Sequence, residues 1–162
     1  METIKRALTE SEIEALNKKY HPLTPTQRIA ELYNDFDAAE VMLTSSSVAT
    51  SAYLLKLFSE INREQTVLFI DTGYHFRETL IYKDYLEQLY QLNVRSVRAE
   101  DWKHDFTNKD ETWTKDPDLC CSINKVEPLQ ALKDAHTVWV SGLMAWQSNH
   151  RATLDIFEQR SG

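Results

Sequence analysis

The pattern of apolar and polar positions predicts strands that alternate with helices along the chain. Short runs rich in apolar residues recur along the chain, and near-continuous apolar runs are typical of strands buried on both faces of a parallel sheet. The predicted strands are residues 39–43, 66–70, 94–98 and 137–141. Strands in alternation with helices favour an α/β fold with a parallel sheet.

Amphipathic spacing and start signals predict the helices between the strands. Thr9 followed by Glu12 has the form of a capping box, and Thr24 before Pro25 opens a second helix. The predicted helices are residues 9–20, a segment from 25 to about 36, 49–61, 78–92, 127–135 and 149–159. In the third helix the side chains predicted to face inward are Tyr53, Leu54, Leu57, Phe58 and Ile61. Residues 100–117 are polar and predict a loop or weak helix.

Glycine content and charge restrict the function. The chain has 162 residues and 3 glycines, so a glycine-rich phosphate loop is excluded. With 18 Lys+Arg against 25 Asp+Glu, the net charge of -7 argues against a nucleic-acid binder with a broad basic face. No apolar run has the length of a membrane span, and the N-terminus lacks the apolar core of a secretory signal. We therefore expect a cytoplasmic protein without a membrane or nucleic-acid partner.

In α/β folds ligands bind at the carboxyl ends of the strands, and three strand ends here are chemically unusual, the third being Ser141-Gly142. Thr44, Ser45, Ser46 and Ser47 follow the first strand, and their hydroxyl and N–H groups could hold an anion at a helix start. The alternative is helix capping with a polar loop. The second strand ends in the sequence Asp-Thr-Gly at residues 71–73, where the acid could accept hydrogen bonds from a ribose or an adenine amine. The alternative there is an Asx-turn.

Two further segments carry candidate chemistry. Cys120 and Cys121 are the chain's two cysteines, and because neighbours rarely bridge each other we interpret them as free thiols or ligands. Lys125 is a nearby point charge for phosphate or sulfate. The alternative is a pair of ordinary buried cysteines. After the fourth strand, Gln147 and Arg151 form part of a polar shelf; the alternative is a loop packed by a tryptophan.

Taken in order, these segments resemble the motifs of the phosphoadenosine/adenosine phosphosulfate reductase family. The matching segments are SSS at 45–47, IDTGYHFRET at 70–79, CCSINKVEPL at 120–129 and WVSGLMAWQSNHR at 139–151. The resemblance implies a Rossmann-like, adenine nucleotide alpha-hydrolase-like parallel sheet flanked by helices. It also implies a helical segment at 1–36 packed on a nucleotide-binding α/β domain at 37–162, within one domain overall.

The resemblance assigns roles to single residues. Those expected to bind the nucleotide are Ser45, Ser46, Ser47, Asp71, Thr72, Gly73, Glu78, Thr79 and Gly142. Those expected to hold the substrate phosphate or sulfate are Lys125, Gln147 and Arg151. Cys120 and Cys121 would supply half of a [4Fe–4S] site, which the chain could complete only if two further cysteines were supplied.

The chemistry implied is reduction of adenylyl sulfate or phosphoadenylyl sulfate to sulfite, with release of AMP or its 3'-phosphate PAP. A cysteine thiolate attacks the sulfur, and thioredoxin or a similar thiol donor then releases sulfite. The family's nucleophile lies in a C-terminal segment with no counterpart here, so we expect the isolated chain to be inactive. The sequence leaves open whether the chain forms a homo-oligomer.

Several positions depart from the family pattern. Asn124, Met144 and Ala145 stand where the family has arginines, and Arg77 stands where it has proline. These departures leave an alternative open, a non-catalytic protein on the same fold that binds adenine nucleotides or another protein. ATP-pyrophosphatase chemistry is disfavoured because residues 44–49 cannot form the glycine-containing loop it uses.

Overall fold

The computed structural model describes residues 5–143 and 147–159. Within these ranges the chain forms a parallel sheet flanked by helices, which confirms the predicted fold class. The strands are β1 (Val41–Thr44), β2 (Thr66–Ile70), β3 (Asn93–Val97) and β4 (Val138–Val140). They lie in the order β3-β2-β1-β4, and each neighbouring pair is parallel.

The helices surround this sheet and match most of the predicted positions. They are α1 (Glu10–Tyr20), α2 (Pro25–Asp35), α3 (Ala52–Ile61), α4 (Arg77–Tyr90), α5 (Asp101–Lys109), α6 (Thr112–Lys115), α7 (Pro117–Cys121), α8 (Glu127–Ala135) and α9 (Asn149–Ala152). A π-helical segment, Ser122–Val126, joins α7 to α8. Within the described ranges, no helix combines the length and apolar character that crossing a membrane requires.

Strand β1 lies between β2 and β4, and this position sets the geometry of the edge of the sheet where the carboxyl ends of the strands lie. The chain moves outward from β1 to β2 and β3, then crosses to the other side of β1 for β4. Leu43 pairs with Val140, and Thr44 pairs with Leu68. The strand order thus reverses between β1 and β4, and in open α/β sheets that reversal opens a crevice at the carboxyl ends.

The two N-terminal helices begin as their sequences predict. Thr9 and Glu12 form a reciprocal capping box at α1, and Thr24 with Gln27 does the same at α2. Helix α2 is tied to the sheet by Tyr33, whose hydroxyl donates to Gln65 Oε1 at 2.7 Å. Burial raises the pKa of the Tyr33 phenol to about 12, so the hydroxyl stays a donor at neutral pH.

One hydrophobic core joins α2 to the sheet and to the helices that follow. The buried residues of this cluster are Ile29, Leu32, Phe36, Val41, Leu43, Leu55, Leu57, Phe58, Val67, Leu86 and Val138. The first three of them precede the α/β part in the chain, so the N-terminal helices share their core with it. The division at residue 36 stays a prediction.

The helix after β1 differs from its prediction in its start and in its buried face. Residues Ala49–Ser51 form a 3₁₀ turn, and the α-helix begins only at Ala52. Tyr53, predicted to point inward, is 57% exposed. The buried face is set by Leu55 and Phe58. Tyr53 stands two positions before Leu55, and residues at that spacing lie on nearly opposite sides of an α-helix.

The C-terminal helix is shorter than predicted because another part of the chain takes its backbone groups. Helix α9 ends at Ala152 rather than continuing to residue 159. The Asn17 side chain accepts from the Phe157 N–H at 2.8 Å and donates to its carbonyl at 2.9 Å. The Phe157 ring also packs edge-on against Tyr20, with 4.8 Å between centroids. These contacts hold the segment against α1 in a non-helical form.

Residues 100–117 contain helices α5 and α6, so of the two predictions for this segment, a loop or a weak helix, the structure shows helix. Residues 117–126 are helical as well, which the sequence pattern does not indicate. The inward positions of residues 100–117 are polar. Thr107 and Thr112 are both buried, whereas Trp102 and Phe106 are exposed. The large apolar residues of this segment therefore mark its exposed face and not its buried face.

The core position of β1 gives a prediction for stability. Leu43 is fully buried in the central strand. Leu43→Ala should lower the free energy of unfolding by about 2–5 kcal/mol, since loss of the side chain leaves a cavity. Leu89 on α4 is exposed and serves as the matched control. Leu89→Ala should change stability by about 0.5 kcal/mol or less. Urea denaturation measures both, and equal losses would contradict the assigned core.

Candidate functional site

The loop after β1 is ordered by its own serines. The Ser45 N–H donates to the Leu68 carbonyl at 3.1 Å, which extends the pairing of β1 with β2. The Ser47 N–H donates to Ser45 Oγ at 3.0 Å, and Ser47 has a positive φ of 50°. Ser45 and Ser47 are buried, while Ser46 is exposed. A left-handed non-glycine residue is costly, and such residues often occur at ligand sites.

The capping alternative for these hydroxyls does not describe the loop. Neither Val48 nor Ser51, which precede the 3₁₀ turn and α3, makes a side-chain capping bond. The Ser51 hydroxyl instead donates to the Val48 carbonyl at 2.7 Å. Ser45 shapes the loop, and the exposed Ser46 faces solvent at the carboxyl edge of the sheet.

The Asp-Thr-Gly turn after β2 forms the Asx-turn that was the alternative prediction. Asp71 Oδ1 accepts from the Gly73 N–H at 2.9 Å, and Thr72 Oγ1 accepts from the Tyr74 N–H at 3.3 Å. The other carboxylate oxygen of Asp71 lies 3.5 Å from Arg98 Nε in an ion pair. The turn uses one oxygen of the acid, and the second keeps lone pairs for a ligand.

Gly73 is required by two independent features of this turn. Its φ is +78°, a conformation that side chains rarely adopt. The His104 imidazole also occupies the space where a side chain would begin, so a Cβ on Gly73 would clash with His104 Cε1. The turn therefore packs on α5, an element that sequence reasoning did not place in the site.

Glu78 and Thr79 lie in the first turn of α4, just beyond the Asp-Thr-Gly turn. The Thr79 N–H donates to the Phe76 carbonyl at 3.1 Å, while Glu78 is exposed. An acid in the first turn of a helix is favoured by the helix dipole. This position gives Glu78 a local structural reason as well as the ligand role that the sequence predicted.

The two cysteines occupy different environments although they are neighbours. Cys120 is buried and Cys121 is exposed, and both are free thiols. Asn124 Nδ2 lies 3.7 Å from Cys120 Sγ and donates to the Cys120 carbonyl at 3.0 Å. Lys125 is exposed and makes no ion pair among the residues that the structure describes. The segment thus offers solvent one thiol and one ammonium.

The segment after β4 is described on either side of a gap. Gly142 follows the strand, and the Arg151 guanidinium donates to the Gln147 side-chain oxygen from one helical turn away. Met144 and Ala145, where the sequence departs from the family arginines, lie outside the described residues. The pairing of β1 with β4 ends at Leu43 and Val140, and Ser45 and Gly142 each follow two residues later.

The structure brings the predicted residues together in separate groups. The serine loop, the Asp-Thr-Gly turn and Gly142 share one edge of the sheet, whereas no described hydrogen bond or ion pair links Lys125 to Arg151 or Gln147. Sequence reasoning missed His104, Thr107 and Tyr74, which support the turn. The only signal of His104 and Thr107 in the sequence is a polar segment, whereas Tyr74 lies within the matched segment at 70–79. The roles of all three depend on contacts between distant residues.

Comparison with known proteins gives the family. The profile of the phosphoadenosine phosphosulfate reductase domain matches residues 40–162. This chain belongs to the phosphoadenosine phosphosulfate reductase domain family. Similar relatives include an adenosine 5'-phosphosulfate reductase from Mesorhizobium japonicum, 36% identical over 151 residues, which are 90% of this chain and 57% of that protein. One from Chelativorans is 34% identical over 156 residues, 92% of this chain and 63% of that protein.

The solved structures agree on the fold of this phosphosulfate reductase family chain. A phosphoadenylyl-sulfate reductase from Candida auris, solved as a phosphate complex, aligns with a TM-score of 0.72 and 23% identity. The alignment covers 85% of this chain and 70% of that one. Overall, the chain spans about three fifths of the curated relatives named above.

The two internal glycines of this reductase-family domain provide a matched test. Gly73→Ala should lower the free energy of unfolding by about 1–3 kcal/mol, because it combines a strained φ with a clash. A Cβ on Gly142 would lie 3.6 Å from Leu54, an ordinary contact. Gly142→Ala should therefore change the free energy of unfolding by about 0.5 kcal/mol or less. Urea denaturation of both variants decides, and a tolerated Gly73→Ala would show that the turn does not pack as described.

Proposed function

We propose that this chain binds the adenylyl part of adenylyl sulfate or phosphoadenylyl sulfate at the carboxyl edge of its sheet. The observation that carries the proposal is the switch in strand order between β1 and β4, with the serine loop following β1 and Gly142 following β4. The crevice at such a switch is the usual ligand site of this architecture. Relatives named adenosine 5'-phosphosulfate reductase support the choice of nucleotide.

Each group at this edge has a role in the proposed complex. The serine loop would meet the phosphate with hydroxyl and backbone donors, replacing a glycine-rich loop that the chain cannot form. Asp71 Oδ2 would accept hydrogen bonds from ribose or from the adenine amine. Lys125 and Arg151 would neutralise the anionic end. Glu78, Thr79 and Gly142 complete the edge, and Gln147 orients Arg151.

The reaction proposed for the complete enzyme is a two-step thiol reduction. A thiolate attacks the sulfur of the nucleotide sulfate, an S–S bond forms, the S–O bond breaks, and AMP or PAP leaves. A second thiol, from thioredoxin or a similar donor, then attacks the thiol-derived sulfur of this S–S bond. A disulfide forms, and sulfite leaves with the bonding electron pair. We place this chemistry in cytoplasmic sulfate assimilation. Since the chain holds 2 cysteines, both in one pair, we propose that the attacking thiolate is supplied from outside this sequence.

An iron–sulfur cluster does not fit the cysteines of this chain by itself. A [4Fe–4S] cluster needs four thiolates, and the chain has two. One of these, Cys120, is buried beside Asn124, while Cys121 faces solvent. Among the described residues no group of three or more His, Cys, Asp or Glu side chains could hold a metal ion. No step is therefore derived through a cluster.

A non-catalytic nucleotide-binding role is the second candidate function. The observation in its favour is Asn124, which is uncharged, buried and fully engaged with neighbouring groups where a cation for the sulfate would be useful. Nucleotide binding is expected in both cases, whether the chain is part of a reductase or a non-catalytic binding protein. They differ in whether added cysteine-bearing sequence from a relative restores turnover.

Calorimetry with AMP tests the nucleotide site. Asp71→Asn should weaken AMP binding by about tenfold or more, because the amide keeps the turn to Gly73 but loses the charge that strengthens a hydrogen bond. Asp134→Asn is the matched control, since Asp134 lies at the far end of α8, just before β4, and should leave affinity unchanged. Failure of the unmodified chain to bind AMP, adenylyl sulfate or phosphoadenylyl sulfate would remove the proposed function.

Sulfite release tests the chemical part of the proposal. With adenylyl sulfate and reduced thioredoxin, the isolated chain should release no sulfite above background, because we propose that the attacking thiolate comes from outside this sequence. The two cysteines of the chain are the buried Cys120 and its neighbour Cys121. After anaerobic purification it should carry no bound iron and be colourless. Fusing the C-terminal segment of a reductase relative is the positive control. Thioredoxin-dependent sulfite release by the unfused chain would overturn this assignment.

A further inference from the structure

The Asn124 carboxamide is the meeting point of three elements. It is 2% exposed, and its Nδ2 donates to Thr107 Oγ1 and to the Cys120 carbonyl, each at 3.0 Å. Its Oδ1 lies 3.2 Å from His104 Nδ1. We propose that Asn124 is a positioning residue that holds the Gly73 turn and the Cys120 thiol in one fixed arrangement.

The hydrogen bonds of this network have defined directions. Thr107 Oγ1 donates to the His104 carbonyl at 2.9 Å, so it accepts from Asn124 and from the Tyr74 hydroxyl, which lies 2.9 Å away. Because Asn124 Oδ1 is an acceptor, His104 carries its proton on Nδ1. This tautomer leaves Nε2 with a lone pair beside Gly73, where the imidazole packs.

The network supports the turn from both of its sides. His104 lies against Gly73, and Tyr74 reaches over to Thr107. The Tyr74 ring also contacts the His104 ring, with 5.1 Å between centroids. Removing the Asn124 amide would take one hydrogen bond from the imidazole and one from Thr107, and would thereby loosen the surface on which the turn rests.

The same amide protects Cys120. Asn124 lies one helical turn beyond Cys120 in the π-helical segment Ser122–Val126, where the Glu127 N–H donates to the Ser122 carbonyl. A buried thiol reacts with an external reagent only when its surroundings open. The amide contributes both a hydrogen bond to the Cys120 backbone and a contact with its sulfur.

Thiol labelling tests the Cys120 branch of the proposal. In a Cys121→Ser background, adding Asn124→Ala should raise the rate at which a disulfide reagent such as dithionitrobenzoate labels Cys120 by about tenfold or more, as expected when buried groups lose their partners. Asn108→Ala, at an exposed position of α5, is the matched control and should leave the rate unchanged. Leu86→Ala, in the core on α4, controls for a general loss of stability. An equal rise in Leu86→Ala would overturn the proposal.

Nitrogen NMR of the histidine side chains tests the Gly73 branch. His104 should be the Nδ1-protonated tautomer in the unmodified chain, with its signals assigned through His104→Gln. Asn124→Ala should shift it toward the Nε2-protonated form, and Asn124→Asp should retain Nδ1 protonation because a carboxylate still accepts from it. An unchanged tautomer in Asn124→Ala would overturn this branch.

A third measurement rests on the proposed nucleotide binding. Saturating AMP should slow Cys120 labelling in the Cys121→Ser chain by about tenfold, since a ligand that binds only the closed form disfavours opening. It should have little effect once Asn124→Ala is added, because the amide joins the turn to the thiol. AMP that binds without slowing labelling would contradict the coupling. If the chain does not bind AMP at all, the proposed function fails, and the labelling and tautomer measurements still decide the role of Asn124.

Discussion

The parallel pairing of β1 with β2 on one side and β4 on the other is the constraint on which the candidate site depends. Because β1 is central and buried, its register cannot slip without moving Leu43 out of the core. The same register carries the serine loop, the Asp-Thr-Gly turn and Gly142 to one edge. The chain supplies this edge with hydroxyls, a carboxylate and backbone N–H groups, and Gly73 provides the tight turn.

The charge at this edge is sparse for the proposed nucleotide site. Asp71 is paired with Arg98, Lys125 is exposed, and Arg151 is bonded to Gln147. Each charge-assisted hydrogen bond contributes roughly 1.5–3 kcal/mol, and the uncharged Asn124 can supply none of this kind to an anion. The amide of Asn124 instead links α5, which packs against the turn, to the cysteine segment. Asn124 therefore adds no positive charge for the proposed anion, but it fixes the position of the elements that support the turn.

What could be predicted from the sequence was local. The strand at Thr66–Ile70, the helix at Glu127–Ala135 and the Thr9 capping box all depend on short-range periodicity or end signals, and they occur where predicted. The polar strand ends could also be recognised as candidate site residues. Helix α5 could not, because Thr107 is its buried residue, and the contact of His104 with Gly73 joins distant positions that no periodicity connects. The short α9 has the same cause, a tertiary bond from Asn17.

The cysteine pair shows how helix geometry divides two identical side chains. Successive residues of a helix point about 100° apart. When Cys120 points inward and contacts Asn124, Cys121 therefore points toward solvent. Cys120 therefore lies in the interior in contact with Asn124, and Cys121 is the thiol that another polypeptide or a reagent can reach. Rotation of this segment would break the hydrogen bond from Asn124 to Thr107 on α5, so the burial of Cys120 and the exposure of Cys121 are fixed by the same contact.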